Sequence, residues 1–346
     1  MNKPLVIALA LLAAPLATRA EDAPKAPPPP KWYDTFELHG LVDTYYSATV
    51  SHTQGTPNTL RIFDANNGFQ LSFAKLTAQL APTTPYTVGF RTDVGFGLTA
   101  GVLNGGNTVA VEQAYVSLKL PSEIVLDAGK FVTNAGAEVI EAKDNWLYSR
   151  SLLFGWAIPF THTGMRATIP VGSGFSLMAG LFNGWDNPPG PVGSEKTAHL
   201  ALLYSGDSNT TVILNVLYGR DPGATDDRIL IDAVAARSFG DLSLNLNADF
   251  GKVADAKVWG VAAMARYSLA GDKARLSARG ELLNNTNGLA SLALVKYYEV
   301  TAGLSVPVGS NAELRAEVRA DFASEEVLAS GKKSETTFQL AALAWF

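Results

Sequence analysis

Charged side chains recur in this sequence at a spacing of two residues. Residues 312–322 read AELRAEVRADF, and the charges fall on Glu313, Arg315, Glu317, Arg319 and Asp321. Because side chains on a strand alternate between two faces, the segment predicts a strand with one charged face and one apolar face. Such a strand fits either the edge of a sheet over a soluble core, or a barrel with lipid outside and water inside.

The residue types used in metal binding and general base catalysis are present but do not form a motif. The four histidines, His39, His52, His162 and His199, are far apart in sequence, and none lies at metal-ligand spacing from another. His162 is expected to face the same side of its strand as Arg166. We interpret it as a structural or solvated histidine rather than a ligand.

The remaining catalytic candidates are equally weak. The glycines at 95, 97 and 101 miss the dinucleotide-binding spacing, and Ser173 in GSGF fits a tight turn. The chain has no cysteine, which excludes disulfides, thiolate zinc sites and cysteine nucleophiles. We therefore predict no catalytic residues, no metal and no cofactor, and not an enzyme.

Composition points away from an ordinary soluble domain. Only 17% of the 346 residues are charged, against roughly 25% in soluble proteins. The formal net charge is −5, so no basic field indicates nucleic acid as a partner.

The first 35 residues predict export. Residues 1–20 have the layout of a cleaved signal peptide, with Lys3 before an apolar run and small residues near Ala20. Residues 21–35 include four consecutive prolines and predict a semi-rigid periplasmic tether. No later stretch reaches the roughly 18 apolar residues of a membrane helix. The exported chain is therefore either soluble or a barrel.

From residue 36 to residue 346 the pattern is that of strands. Residues 242–250, LSLNLNADF, alternate cleanly between apolar and polar positions. Sixteen segments can be marked, at 36–50, 68–81, 86–99, 109–120, 123–132, 160–171, 174–184, 195–205, 208–219, 227–238, 241–252, 256–269, 272–284, 292–306, 311–323 and 334–346.

The connections favour the membrane alternative. Turns after even-numbered strands are short, whereas those after odd-numbered strands tend to be longer, notably 51–67 and 133–159. This alternation is typical of an outer-membrane barrel with short periplasmic turns and longer outer loops. We predict an all-β fold, a transmembrane antiparallel β-barrel of about 16 strands with up-and-down topology, closed by pairing of the first and last strands.

Aromatic residues gather near the predicted strand ends, as in interfacial belts. One rim would carry Trp32, Tyr33, Phe36, Tyr86, Phe175, Tyr204, Phe239 and Trp345, and the other Tyr46, Trp185, Tyr218, Trp259 and Tyr297.

Several short motifs occur along the chain: GLVDTYY at 40–46, EQAYV at 112–116, GKF at 129–131, YSRS at 148–151, IPF at 158–160, HTG at 162–164 and NGW at 183–185. In these residues the chain resembles a known family, the beta-barrel porin-2 or OmpL-like outer-membrane porins of Gram-negative bacteria. The resemblance covers most of residues 36–346, and the terminal Phe346 looks like the signal that barrel-assembly machinery recognises.

The longest connection is the candidate functional segment. General porins, which this family resembles in architecture, fold the loop at this position into the lumen, so we expect residues 133–159 to narrow a pore. The apolar run at 145–160 favours an inward position over a solvated outer cap. The charged candidates on this loop are Glu138, Glu141, Lys143, Asp144 and Arg150. The candidates on the facing wall are Arg91, Lys119, Arg166, Arg275, Arg279, Arg315 and Arg319.

The function expected is a passive diffusion channel for small hydrophilic solutes and ions, located in the bacterial outer membrane. A slight preference for cations follows from the negative net charge. Two alternatives remain open: a substrate-selective channel, for example for oligosaccharides, with Tyr45 and Tyr115 inside, or an ion-closed barrel that acts as an envelope anchor or adhesin. The expected partners are outer-membrane lipid and lipopolysaccharide, the solutes themselves, barrel-assembly machinery and, by resemblance, two further copies in a homotrimer.

Overall fold

A computed structural model describes residues 33, 35–50, 57–186, 193–328 and 331–346. The predicted signal peptide, residues 1–20, and nearly all of the predicted tether, residues 21–35, lie outside the described residues. None of the helices in the described ranges has the length and apolarity needed to cross a bilayer.

The described chain folds into sixteen strands connected in sequence order. The strands are β1 Phe36–Thr49, β2 Gly68–Leu80, β3 Val88–Phe96, β4 Val109–Lys119, β5 Val125–Val132, β6 Thr161–Gly172, β7 Phe175–Phe182, β8 Thr197–Asp207, β9 Thr210–Arg220, β10 Asp227–Phe239, β11 Leu242–Val253, β12 Ala256–Leu269, β13 Ala274–Asn284, β14 Lys296–Pro307, β15 Ala312–Ala323 and β16 Ser334–Trp345. The short helices are α1 Leu98–Leu103 and α2 Leu152–Trp156, with 3-10 turns at Pro121–Glu123 and Ala142–Asp144.

Each strand pairs antiparallel with its neighbours in sequence, and β1 pairs with β16 to close the barrel. The closing register runs from Leu41 opposite Trp345 to Thr49 opposite Thr337. Gly40 and Phe346 exchange two backbone hydrogen bonds of 3.2 and 3.1 Å at one end of this seam. Closure leaves no strand edge unpaired, as a β-structure in hydrocarbon requires. The prediction of a closed antiparallel barrel of about 16 strands is confirmed.

The alternation read from the sequence corresponds to the two faces of the wall. On β15 the five charged residues at 313–321 are buried inside the barrel, and the apolar residues between them point outward, with Leu314 53% exposed and Val318 49% exposed. On the neighbouring strand, Phe338 and Leu340 also point outward. The outer surface is thus an apolar band suited to lipid, and the interior is lined by charge.

Two aromatic predictions on the strands are wrong, because Trp345 shares the inward face of β16 with Ala341 and Leu343, and Tyr297 is inward too. Tyr297, assigned above to an interfacial belt, is buried inside the barrel, and its neighbour Tyr298 is exposed on the outer face instead. The reason is strand parity, because Tyr297 shares the inward face of β14 with Glu299 and Thr301.

Connections after odd-numbered strands are longer than those after even-numbered strands with two exceptions, the first being residues 221–226 after β9, which are fewer than residues 81–87 after β2. The connections after β1, β5, β7 and β13 are long, and those after even-numbered strands are short turns. The link between β11 and β12 is only two residues, Ala254 and Asp255, although it follows an odd-numbered strand.

Candidate functional site

The connection between β5 and β6, residues 133–160, crosses the interior of the barrel and is called the inserted loop below. It leaves the wall at β5, and its central part contacts β13 and β15, about half the circumference away. Glu281 of β13 accepts hydrogen bonds from the amides of Leu152 at 2.7 Å and Leu153 at 3.2 Å. These amides begin α2, so the carboxylate also satisfies donors that the helix leaves free.

Glu317 of β15 binds the loop in the same way. It accepts from the Tyr148 amide at 2.7 Å, from the Ser149 amide at 3.2 Å and from the Ser149 hydroxyl. Hydrogen bonds to an ionised acceptor are stronger than neutral ones, at about 1.5–3 kcal/mol each. The wall carboxylates therefore act as anchors for the backbone of the inserted loop.

Arg279 of β13 connects the wall and the loop through charge. Its guanidinium donates to Glu138 Oε1 at 2.8 Å, to the Ser149 carbonyl at 2.8 Å and to Glu299 of the adjacent strand at 2.9 Å. All three charged groups are buried. A buried guanidinium is stable only with its charge and donors satisfied, so this arrangement fixes the loop to one position.

Two further arginines of β15 hold loop carbonyls. Arg315 donates to the carbonyls of Ala142 at 2.7 Å and Leu147 at 3.2 Å. Arg319 donates to the carbonyl of Arg150 at 2.6 Å and pairs with Asp321 on its own strand. The alternating charges of β15 thus bind the loop from the facing wall.

The turn of the loop at 141–144 also reaches the wall at β2. Lys75 of β2 forms ion pairs with Glu141 of the loop, with Glu112 at 2.9 Å and with Asp93 at 3.6 Å. The three carboxylates surround a single ammonium group, and their oxygens lie within 4.8 Å of one another. Arg91 pairs with Asp93 at 3.0 Å and supplies a second positive charge.

An apolar cluster supports the middle of the inserted loop. Leu152, Leu153 and Phe154 of α2 are buried within the interior. Phe154 packs against Phe63 and Phe160, with ring centroids 5.8 and 5.5 Å apart. Burial of this apolar surface inside the barrel explains why the run at 145–160 is not an exposed outer loop.

A second segment lies inside the barrel beside the first. In the described part of the β1–β2 connection, residues 57–67, Asn58 donates to Asp321 at 2.7 Å and the carbonyl of Leu60 accepts from Trp156 at 3.0 Å. Arg61 pairs with Asp64, and both are buried. Burial opposes ionisation of Asp64, but the adjacent Arg61 outweighs it and lowers the pKa of the carboxyl.

The contact of Tyr148 with β1 closes the network. Its hydroxyl donates to Asp43 at 2.6 Å, and its ring packs against Tyr45 with centroids 5.7 Å apart. Burial, together with the nearby Asp43 charge, raises the pKa of the Tyr148 hydroxyl well above its ordinary value, so it remains a donor.

Two polar cavities flank this region. One, of about 290 Å³, is lined by Trp156, Phe160, Trp185, Asp186 and Arg228 among others. The other, of about 280 Å³, is lined by His39, Gln79, Arg91, Glu141, Lys143 and Asp144 among others and lies near the Gly40–Phe346 end of the seam. Both therefore carry charges of both signs.

A family model described as "beta-barrel porin-2, OmpL-like" matches residues 35–346. The chain belongs to this porin family. It is an outer-membrane porin channel in fold and family, and the structures it resembles are those of porins. Among curated proteins, none matches it.

Three solved structures illustrate the fold. The anion-selective porin from Comamonas acidovorans is 14% identical, with a TM-score of 0.65 over 90% of this porin and 99% of that chain. Salmonella typhi OmpF in complex with daunomycin is 12% identical, with a TM-score of 0.64 over 90% and 97%. The trimer form of Vibrio cholerae OmpT is 15% identical, with a TM-score of 0.61 over 90% and 99%. At these identities the likeness is one of fold.

The predicted charged residues of this porin fall into three groups. Those in contact with the inserted loop, or on it, are Glu138, Glu141, Arg150, Arg279, Arg315 and Arg319. Lys143 and Asp144 pair with each other at the tip of the loop. The remaining wall candidates have other partners: Lys119 with Glu123, Arg166 with Asp127, Arg275 with Asp272 and Glu313, and Arg91 with Asp93.

Several residues of the porin interior were missed by sequence analysis. Glu281 and Glu317 were read only as parts of alternating strands, although each accepts loop amides. The inward position of Asn58, Arg61 and Asp64 was not predicted. The apolar residues Leu60 and Phe63, which lie among them and are buried, could have indicated it. His162 does face inward, where it stacks on Phe182 with centroids 4.4 Å apart.

Proposed function

We propose that this porin is a passive diffusion channel for small hydrophilic solutes and ions, and that the inserted loop sets the width and charge of its narrowest zone. The observation that carries the proposal is the attachment of the loop across the interior, through Glu281, Glu317 and Arg279. A barrel of this strand number encloses an aqueous lumen unless it is filled from within. A fixed loop would reduce that lumen to a defined passage.

The charge distribution supports weak rather than strict ion selectivity. Lys75 and Arg91 offset most of the charge of Asp93, Glu112 and Glu141. The cavity near the Gly40–Phe346 end carries both signs as well, with Lys143 beside Asp144. Opposite charges across a narrow passage orient polar solutes by a transverse field. With acidic residues in excess overall, we expect a slight preference for cations.

The test is single-channel conductance of the refolded chain in a planar bilayer, with the reversal potential measured under a salt gradient. Discrete ohmic steps with a small reversal potential of cationic sign are expected. A correctly folded barrel that gives no steps would overturn the diffusion proposal and favour the ion-closed anchor or adhesin. Block of the current by one class of solute, such as an oligosaccharide, would favour the substrate-selective alternative.

We infer further that the porin acts by diffusion alone and performs no catalysis. The family and the fold are those of a channel, which supports this inference. Incubation of the folded protein with ester, peptide and phospholipid reporter substrates should release no product above the rate in empty micelles.

Export and assembly are also part of the proposal. We expect cleavage near Ala20 and insertion into the outer membrane through recognition of the C-terminal Phe346, in contact with lipid and lipopolysaccharide. The exposed ring of Phe346 supports such recognition. A homotrimer is expected because a trimer form is among the structures of the same fold. Cross-linking in native outer membranes tests the location and the trimer. Mass measurement of the mature chain tests the cleavage.

A further inference from the structure

Two buried carboxylates on the wall of the barrel lack a counter-charge. Asp232 of β10 lies directly opposite Asp249 of β11 in the antiparallel register, and both face the interior. Side chains at directly opposite positions have Cβ atoms about 4.5–5.5 Å apart. Among the residues that the structure describes, no lysine or arginine forms an ion pair with either carboxylate.

The two carboxylates differ in how they are satisfied. Asp232 accepts one hydrogen bond at each oxygen, from the Asn247 amide group at 2.8 Å and from the Asn215 amide group at 2.7 Å. Asp249 is only 4% exposed, and neither of its oxygens has a hydrogen-bond partner within the described chain. Unsatisfied carboxylate oxygens at this depth are costly unless a proton or a metal ion occupies the space between them.

The surroundings add negative charge at Asp249, which a bound cation would offset. Glu281, two strands further along the wall, is close enough to add to the negative field at Asp249. Carboxylate oxygens are the ligands that hard cations prefer. By contrast, the cluster of Asp93, Glu112 and Glu141 already contains the ammonium of Lys75.

We propose that Asp232 and Asp249 form a binding site for a hard divalent cation of the Ca²⁺ type. Asp249 would supply its two free oxygens, Asp232 would supply the lone pairs not used by Asn215 and Asn247, and water would complete the coordination shell. Neither the family nor the fold assigns such a site to this chain.

The site is joined to the start of the inserted loop through the two asparagines. Asn247 accepts from the Ala137 amide at 3.2 Å. Asn215 accepts from the Asn134 side chain at 2.7 Å and donates to the Asn134 carbonyl at 3.1 Å. A bound cation that fixes the Asp232–Asp249 pair would therefore also stabilise residues 134–137 against the wall. The inserted loop would then have a metal-dependent attachment on this side and an arginine-dependent attachment on the other.

The experiment is calorimetric titration of CaCl₂ into the full, refolded chain in detergent after treatment with a chelator, at neutral pH. One Ca²⁺ per chain is expected, together with a rise in the temperature at which the folded band is lost on unheated gels. Asp249→Asn should weaken binding at least tenfold, about 1.4 kcal/mol, and abolish the rise in temperature. Asp232→Asn is the second variant and should behave in the same way.

The matched control is Asp127→Asn, which removes one buried interior carboxylate that is paired with Arg166 at 2.9 Å. It should bind Ca²⁺ as the wild type does. Absence of binding by the wild type at millimolar Ca²⁺ would overturn the proposal and indicate a shared proton. Equal binding by wild type and Asp249→Asn would overturn it too, since the ion would then lie elsewhere. Because binding is measured in detergent, the result does not depend on whether the barrel conducts.

Discussion

Arg279 of β13 donates a hydrogen bond of 2.8 Å to Oε1 of Glu138, a residue of the inserted loop that lies 141 positions earlier in the chain. The pair is buried and joins one wall of the barrel to a loop that leaves the opposite wall. It shows that the alternating interior charges have specific partners and are not merely solvated.

Replacement of Arg279 by methionine should destabilise the barrel strongly. It leaves Glu138 and Glu299 buried without their cation, at a cost of about 3–5 kcal/mol. The measurement is the temperature at which the folded band disappears on unheated gels. Arg220→Met is the control, because Arg220 pairs with Asp227 at the surface and its loss should cost at most about 1 kcal/mol. Similar losses in both variants would contradict the anchoring role of Arg279.

Replacement of Glu317 by alanine should increase the mobility of the inserted loop without disrupting the pairing of the barrel strands. The amides of Tyr148 and Ser149 lose a charged acceptor, at about 1–3 kcal/mol for each unsatisfied donor. Single-channel records should then show a higher mean conductance with more current noise. The mean conductance of Glu317→Gln, which keeps an acceptor oxygen, should lie between those of Glu317→Ala and the wild type. An unchanged conductance record for Glu317→Ala would show that the position of the loop does not depend on this carboxylate. Glu325→Ala is the control, because Glu325 belongs to an exposed ion pair.

A cysteine pair can test the position of the loop directly, because the chain contains no cysteine of its own. A Cβ atom placed on Gly303 would lie 2.8 Å from the Cδ2 atom of Leu147, so the Leu147→Cys, Gly303→Cys variant is within reach of disulfide geometry. Mild oxidation of the folded protein should remove both free thiols. The Val139→Cys, Gly303→Cys variant should keep them, since Val139 is on the exposed side of the loop. Persistence of both thiols in the first variant would place the loop elsewhere.

Asp186 should give the barrel a pH-dependent contribution to stability. Burial raises the pKa of its carboxyl to about 6, although the amides of Thr161 and Phe160, each at 2.7 Å, act in the opposite direction. Because this pKa lies above the value of about 3.9 in the unfolded chain, the folded state binds the proton more tightly. The contribution is therefore present at low pH and is lost as the pH rises through about 6.

The comparison that tests this is Asp186→Asn against wild type between about pH 4 and pH 7. The difference in unfolding temperature should grow in favour of the variant as the pH rises, because asparagine cannot ionise. Asp226→Asn, at an exposed position of a neighbouring connection, should show no such trend. A constant difference for Asp186→Asn would contradict the assignment.

Neutralisation of the loop tip should shift ion selectivity. Lys143 and Asp144 both line the cavity near the Gly40–Phe346 end and pair at 2.8 Å. Lys143→Gln should move the reversal potential towards cations, and Asp144→Asn should move it towards anions, each by a few millivolts under a tenfold salt gradient, on the order of 1 kT or less of local potential. Lys273→Gln, in a short turn outside the cavity, is the control. If the reversal potentials of Lys143→Gln and Asp144→Asn shift no more than that of Lys273→Gln, the tip of the loop does not face the path of the ions.

The wall of the barrel could be predicted from the sequence because one physical pattern determines it. Residues 313–321 must alternate if one face meets lipid and the other meets the interior, and the register follows from that alternation. The bound of β15 at Ala323 and the start of β16 at Ser334 agree with the predicted segments to the residue. Tyr297 shows where this kind of prediction fails. An aromatic residue near a strand end is compatible with either face of the wall, and only its odd or even position along the strand determines which face it occupies.

The interior could not be predicted to the same depth, since its contacts join residues that are distant in sequence. Nothing local in LRAEVRA indicates that Glu317 would accept amides from positions 148 and 149. Likewise Asp232 and Asp249 stand on two strands with ordinary alternation, and only the register brings them opposite each other. The inward position of residues 57–67 rests on contacts with α2, from Trp156 to the Leu60 carbonyl and from Phe154 to Phe63, and these residues are distant in sequence.

The seam between β1 and β16 has a consequence for the order of folding. It joins Gly40 to Phe346 and Leu41 to Trp345, which are about as far apart in sequence as the barrel allows. The pairs from β1–β2 to β14–β15 can form while the chain is still being delivered, but the seam must wait for the last strand and must also join it to the first. Contacts of such long sequence separation are slow to form. Until they do, both terminal strands present open edges that could join another chain, so the final step of biogenesis is also the step most exposed to aggregation.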